Sequence, residues 1–234
     1  MAELGTVVVT GGSSGLGAAI AEAVDQRGGT PVVLDIKPAP NGFPFERVDL
    51  ARTREAEDVV SRVAEEHGGI DGVVTAAGID ACGRIEQVGA DDWERVVAVN
   101  LLGTAAVVRA ALPYLERSHG RVVTVASTLG LRALSDATAY CASKFGVVGF
   151  SRALAAETAG RVGVTCLVPG GMQTAFFDSR DEQYRPGPDA DLNPPEEVAE
   201  TVMFALTRPQ GVELRELVVC SCLLYTSPSP RDRS

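Results

Sequence analysis

An apolar, β-branched run from Thr6 to Val9 leads directly into Thr10-Gly11-Gly12-Ser13-Ser14-Gly15-Leu16-Gly17. An alanine-rich stretch follows, Ala18 to Arg27, and Gly28-Gly29 ends it. The run reads as a buried strand, and the stretch reads as a helix with a glycine stop. A strand that turns on glycines straight into a helix leaves the first N–H groups of that helix free. They sit at the positive end of its dipole and suit a phosphate. The spacing departs from Gly-x-Gly-x-x-Gly, since three residues separate Gly11 from Gly15. A plain glycine-rich turn is the simpler alternative, but the placement between strand and helix argues against it.

This unit sets the pattern for the rest. Strands are expected at 6–10, 31–35, 72–76, 121–126, 162–168 and 214–219, with a weaker one at 45–48. Helices are expected near 15–27, 53–66, 91–117, 137–159 and 195–207. Alternating strands and helices imply a parallel sheet covered on both faces. The expected fold is therefore α/β: one Rossmann-like, doubly wound domain of about seven strands. A chain of 234 residues suits one such domain. The segment 175–195 breaks the pattern with Phe176, Phe177, Tyr184 and several prolines. Read on its own it is an acidic loop.

The domain is expected to span 1–221. Residues 222–234 are rich in Pro, Ser and Arg and lack periodicity. Their Cys-Leu-Leu-Tyr-Thr-Ser-Pro-Ser-Pro-Arg-Asp run matches the translation of a sequencing-library adapter. It is read as a foreign tail and set apart from fold reasoning.

A net charge of −10 argues against nucleic acid and anionic membrane surfaces as partners. No signal peptide or membrane-spanning run is expected. The five cysteines, Cys82, Cys141, Cys166, Cys220 and Cys222, are odd in number and lack metal-ligand spacing. They read as free thiols in a reducing cytoplasm. His67 and His119 are too few for a His-based zinc site, so no metal is expected.

Tyr140 and Lys144 stand four apart in a helical stretch, on one helix face. A tyrosine ordinarily titrates at about 10. A neighbouring cation favours the phenolate and is expected to lower that value, which suits a general acid/base. Asp35, at the tip of the second strand, is an acid placed to bind the ribose hydroxyls of NAD and repel the 2′-phosphate of NADP. Ser14 is uncharged, and no lysine or arginine stands at that position. Each residue has a bland reading: a solvated strand-end acid, or a chance spacing.

Together these residues resemble the short-chain dehydrogenase/reductase family over roughly 5–220. Thr10-Gly11-x-x-x-Gly15-x-Gly17 matches its cofactor turn, which brings in Ser13, Ser14 and Leu16. Asp49-Leu50 matches the acid that meets the adenine and its neighbour. Ala76-Ala77-Gly78 matches the turn beside the cofactor. Pro169-Gly170-x-x-x-Thr174, with Met172, matches the loop that holds the nicotinamide carboxamide. Asn100, Ser127, Tyr140 and Lys144 match the catalytic tetrad, and Ser127 lies thirteen residues before Tyr140. Thr75 departs from the pattern, because the family usually carries asparagine there; the turn is expected to loosen.

The resemblance implies that Tyr140 exchanges a proton with an alcohol or ketone. Lys144 would lower its pKa and bind the nicotinamide ribose. Ser127 would hydrogen-bond the substrate oxygen, and Asn100 would hold a water in a proton relay. It further implies a cytoplasmic, NAD-dependent oxidoreductase of secondary alcohols and ketones, assembled as a homodimer or homotetramer through the helices at 91–117 and 137–159. The alternative is a catalytically silent NAD-binding sensor or scaffold; such relatives usually lack the tyrosine or the lysine. An extended-type sugar-nucleotide epimerase or dehydratase would need a larger C-terminal substrate domain. By analogy the segment 175–195 is a substrate lid, and Ile79, Leu129, Leu134, Gly171, Met172, Phe176 and Phe177 line the pocket, which is expected to be largely apolar with no fixed charge to grip a carboxylate.

Overall fold

The structure is a computed structural model that describes residues 4–39 and 42–221. The tail expected at 222–234 lies outside the described residues.

Seven strands form one parallel sheet. They are β1 (Thr6–Thr10), β2 (Thr30–Asp35), β3 (Phe45–Arg47), β4 (Gly72–Thr75), β5 (Arg121–Val125), β6 (Gly163–Pro169) and β7 (Glu216–Val219). Their order is β3-β2-β1-β4-β5-β6-β7. The order reverses between β1 and β4, which opens a crevice at the carboxyl ends of those strands. The central strands are valine-rich because both their faces are covered.

Helices α1 (Gly15–Gln26) and α6 (Pro195–Leu206) cover one face. They bury Ile20, Val24, Val202 and Met203 against Val7, Val9, Val74 and Val123. Helix α6 starts with Pro195 in its first turn, followed by Glu196 and Glu197, a favourable start beside the helix dipole. Helices α2 (Thr53–Glu66), α4 (Thr104–Ser118) and α5 (Thr138–Glu157) cover the other face. There Val60, Val107, Leu115 and Leu154 pack on Val8, Val73 and Val122.

The strand expectations hold to within two residues at each end. The helix expected at 91–117 is instead three segments: α3 (Ala90–Val97), a π-helical turn over Ala98–Gly103, and α4. By length and composition the continuous run Ala90–Ser118 would pass for a membrane span, contrary to the expectation of none. Half of its apolar window is buried inside the domain, and it packs on α2 and α5 as a core helix does.

Candidate functional site

The residues singled out in the sequence gather at the carboxyl ends of β1, β2, β4, β5 and β6. Gly11 has a φ of +69°, and a side chain there would meet the Ala77 backbone at 2.7 Å. A side chain on Gly17 would meet the carbonyl oxygen of Gly11 at 2.2 Å. Only glycine permits this tight return of α1 onto the turn. Ser14 caps α1 with extended backbone and makes no side-chain cap bond, so the first-turn N–H groups have no side-chain acceptor from it. Leu16 is buried under the turn. Gly15 faces Thr174, whose Cγ2 lies 3.2 Å from where a side chain would begin. The glycine turn and the loop after β6 are therefore in contact.

Asp35 ends β2 and accepts from the backbone N–H groups of Ser13 and Lys37, each at 3.1 Å. Ser13 Oγ donates to the Lys37 carbonyl, and Arg47 Nε donates to the Ile36 carbonyl. The Arg47 side chain thus lies beside the Asp35 edge, while Ser14 is uncharged as the sequence indicated. Asp49 accepts from Ala51 N–H at 3.0 Å and pairs with Arg95 at 3.1 Å. Leu50 is buried, in contact range of Gly103. The loop after β6 is braced at Met172 by a bridge to Asn193, and Gly170 N–H donates to Val219 O.

After β4, Ala77 N–H donates to Thr10 Oγ1. Thr75 pairs with Thr10 on one side and Thr124 on the other. Thr10 has the Ala77 donor, and Thr124 Oγ1 shares a hydrogen bond with Ser151 Oγ at 2.6 Å. The hydroxyl of Thr75, in the middle of this row, is buried with no hydrogen-bond partner among the described residues. That gives the unusual threonine a concrete cost in the sheet.

Asn100 sits in the π-helical turn and is fully buried. Its Nδ2 donates to Ile79 O at 2.9 Å and to Ser143 Oγ at 3.0 Å, while its Oδ1 accepts from Ile79 N–H. The extra residue of a π turn redirects a side chain, which is why such turns mark functional positions. Ser143, absent from the sequence reading, donates in turn to Tyr140 O. Gly78 lies beside both Asn100 Oδ1 and Lys144 Nζ, each 3.6 Å from a side chain built there.

Ser127 lies two residues past the end of β5, accepts from Leu129 N–H at 3.1 Å, and stands beside the Tyr140 hydroxyl, whose titration it lowers. Tyr140 and Lys144 share one face of α5, and both are buried. Lys144 Nζ lies 5.6 Å from the centre of the Tyr140 ring and donates to Val125 O at 2.8 Å. Burial pushes the Tyr140 hydroxyl up to about 12, against a smaller lowering by the Ser127 bond. This corrects the expectation of a lowered tyrosine: desolvation outweighs any help from the lysine. Burial also brings the Lys144 ammonium down to about 8.

The segment 175–195 carries two short 3₁₀ turns, Ala175–Phe177 and Glu182–Tyr184. The Phe176 ring tilts against Tyr140 at 5.8 Å and meets Phe177 edge-on at 5.5 Å. Arg180 lies over both phenylalanine rings and pairs with Asp80 at 2.6 Å. An ion pair, its charges mutually neutralised, thus borders the largely apolar lining expected from the sequence on this side. Nothing in the spacing of Asp80 or Arg180 marks them; only the position of Asp80 two residues after Gly78 hints that it borders the site.

With this geometry in place, comparison with known proteins is decisive. Residues 5–185 match the profile of the family described as short chain dehydrogenase.

The chain belongs to the short-chain dehydrogenase family.

An uncharacterised oxidoreductase of Staphylococcus aureus strain MW2 is 31% identical over 224 residues, 91% of this chain and 95% of the relative. D-beta-hydroxybutyrate dehydrogenase of Cupriavidus necator is 33% identical over 192 residues, 76% of this chain and 74% of the relative. Among solved structures, the ligand-free aldohexose dehydrogenase of Thermoplasma acidophilum superposes with a TM-score of 0.86 at 26% identity, covering 96% of this chain and 95% of that one. The alcohol dehydrogenase of Thermococcus sibiricus, complexed with 5-hydroxy-NADP, gives 0.82 at 26% identity, covering 96% and 98%. As a short-chain dehydrogenase, this chain is an oxidoreductase of a family that binds a nicotinamide cofactor and acts on small molecules. The residues present fit such a group: a side chain at Gly11 or Gly17 would fill the cradle, and the α1 N-terminus stands uncapped beside it.

Proposed function

We propose that the protein interconverts a secondary alcohol and its ketone with NAD(H), using Tyr140 as the proton-transferring group. The observation that carries this reading is the buried cluster of Tyr140, Ser127, Lys144 and Asn100 beside the glycine cradle. Gly11, Ser13, Ser14, Gly15, Leu16 and Gly17 would hold the diphosphate end of the cofactor. Asp35, Asp49 and Leu50 would border its adenosine, and Ala76, Ala77, Gly78, Pro169, Gly170, Met172 and Thr174 its nicotinamide end. When bound, the cofactor supplies or accepts the hydride.

In the reducing direction Tyr140 gives its proton to the carbonyl oxygen as that oxygen gains charge. A hydroxyl held at about 12 keeps its proton at neutral pH and is ready to donate it. Ser127 donates to the same oxygen and stabilises the developing charge. The Lys144 cation then favours the phenolate left behind, and solvent restores its proton. In the oxidising direction Tyr140 must first lose its proton, which burial opposes; the Lys144 charge offsets that cost. Asn100 fixes Ile79 and Ser143, and so holds the floor under Tyr140 and Lys144.

NAD rather than NADP is supported by the Asp35 carboxylate, fixed by two backbone N–H groups at the end of β2. Two features favour an enzyme over a silent NAD sensor: Tyr140 and Lys144 are both retained, and the Ser127 hydroxyl stands beside that of Tyr140. The domain is read as 1–221, and the protein as cytoplasmic. The test is turnover of a panel of secondary alcohols and ketones by the purified protein with each cofactor. Turnover of at least one pair supports the reading; binding of NADH without turnover of any would favour the sensor.

A further inference from the structure

Arg180 is a charged side chain in an apolar corner. Its guanidinium carbon lies 5.0 Å from the centre of the Phe176 ring and 4.7 Å from that of Phe177. Phe176 in turn packs on Tyr140. Nη2 donates to Asp80 at 2.6 Å, and Nη1 reaches the Tyr184 carbonyl at 3.3 Å. The side chains of the pair are 16% and 5% exposed. The remaining donor, Nε–H, is buried with no hydrogen-bond partner among the described residues.

A buried, unpaired donor is costly, and more so on a charged group. The guanidinium is held against both rings and by Asp80, so that donor is fixed in place. Asp80 has little left to offer it: Oδ2 accepts from Arg180 and from Cys82 Sγ, and Oδ1 accepts from Ala81 N–H. An acceptor oxygen brought by the substrate would complete the set.

We propose that Arg180 is a specificity-determining residue whose Nε–H donates to a second oxygen of the substrate, making the preferred substrates uncharged hydroxy ketones and the corresponding diols. This rests on the oxidoreductase reading given above. The exclusion of charge follows from Asp80. The guanidinium is already neutralised, so a substrate carboxylate would bring a second negative charge into a site with one positive charge. Burying that excess is unfavourable. A neutral oxygen accepts the hydrogen bond without it. Asp80 acts through Arg180, as a positioning residue.

The experiment compares 2-pentanone, its monohydroxylated derivatives and 4-oxopentanoate as substrates for the full chain with NADH. The best hydroxy ketone should exceed 2-pentanone in kcat/KM by about 10- to 100-fold, as one charge-assisted hydrogen bond implies. The keto acid should be the poorest of the three types. Arg180→Lys keeps a cation for Asp80 and so holds the lid, but it lacks the Nε–H. It should bring the hydroxy ketones and 2-pentanone to within about threefold of each other while 2-pentanone keeps most of its rate. Equal use of 2-pentanone and every hydroxy ketone by the wild type overturns the proposal. So does a keto acid preferred over all of them, or discrimination that survives in Arg180→Lys. If the protein reduces none of these ketones, the proposed alcohol–ketone turnover with NAD(H) fails instead. Calorimetry of the NADH-loaded protein then decides the inference separately: tighter binding of a hydroxy ketone than of 2-pentanone, lost in Arg180→Lys, sustains it, and equal binding refutes it.

Discussion

The ammonium of Lys144 lies 5.6 Å from the centre of the Tyr140 ring, yet its hydrogen bond goes to the Val125 carbonyl. The two residues share a helix face as their spacing requires, but both are buried, and burial dominates their titration. Each is driven toward its neutral form: the phenol keeps its proton, and the lysine sheds its own more readily.

That relationship has a thermodynamic consequence. Lys144 falls from its ordinary 10.5 to about 8 in the folded protein. Between those values the unfolded chain binds more protons than the folded one, so stability rises with pH across that window. Below about 8 the buried charge is a fixed burden on the fold. Lys144→Met removes it. The variant should gain most over the wild type at neutral pH, by up to about 3 kcal/mol before the lost Val125 bond is counted. The gain should shrink as pH rises from 8 to 10.5. Thermal denaturation of both proteins across that range checks it; a difference that does not change with pH contradicts the buried-charge account.

Thr75 offers a simpler test. Its hydroxyl is buried without a partner among the described residues, in the row between Thr10 and Thr124. Thr75→Val keeps the shape and removes the unsatisfied group. It should stabilise the protein by about 1 kcal/mol, read as a higher urea midpoint at unchanged slope. A loss of stability would mean that the hydroxyl has a partner in solution.

Cofactor choice turns on Asp35. NAD should exceed NADP in kcat/KM by about tenfold or more, because the 2′-phosphate would face the carboxylate. Asp35→Ala should close most of that gap by removing the repulsion, with the Arg47 side chain left at the edge of β2. Parallel kinetics with both cofactors decide it, and equal use by the wild type refutes the assignment.

Assembly is testable through the helices. Leu102, in the π-helical turn, and Phe145, on α5, are large apolar side chains left half-exposed. Pairing of two copies through this region would cover them. A dimer or tetramer is expected by light scattering at micromolar concentration. Leu102→Glu with Phe145→Glu should shift it toward monomer; a monomeric wild type contradicts the pairing.

Much of this fold was legible because strand and helix periods differ and glycines punctuate them. The valine runs of β1, β4 and β5 could only be buried parallel strands, and the turn from Gly11 to Gly17 announced the crevice. The π-helical turn at Asn100 was not legible, since one extra residue in a helix leaves no trace in hydrophobic periodicity. Nor were the opposed titrations of Tyr140 and Lys144: spacing reveals proximity, whereas burial depends on what the sheet and lid pack around them. Asp80 and Arg180 lie 100 residues apart in the chain, and only the folded lid makes them one ion pair.

The most direct test of the central claim is hydride transfer by Tyr140→Phe. The phenylalanine ring can still pack against Phe176, while the proton donor beside Ser127 is gone. Turnover of the best ketone with NADH should fall by about 100- to 10,000-fold, the range typical of a lost general acid. NADH affinity, followed by fluorescence titration of the same preparation, should change by less than about threefold, since the removed group exchanges a proton rather than holding the cofactor. A variant that binds NADH normally and keeps a substantial part of the wild-type rate would show that another group supplies the proton.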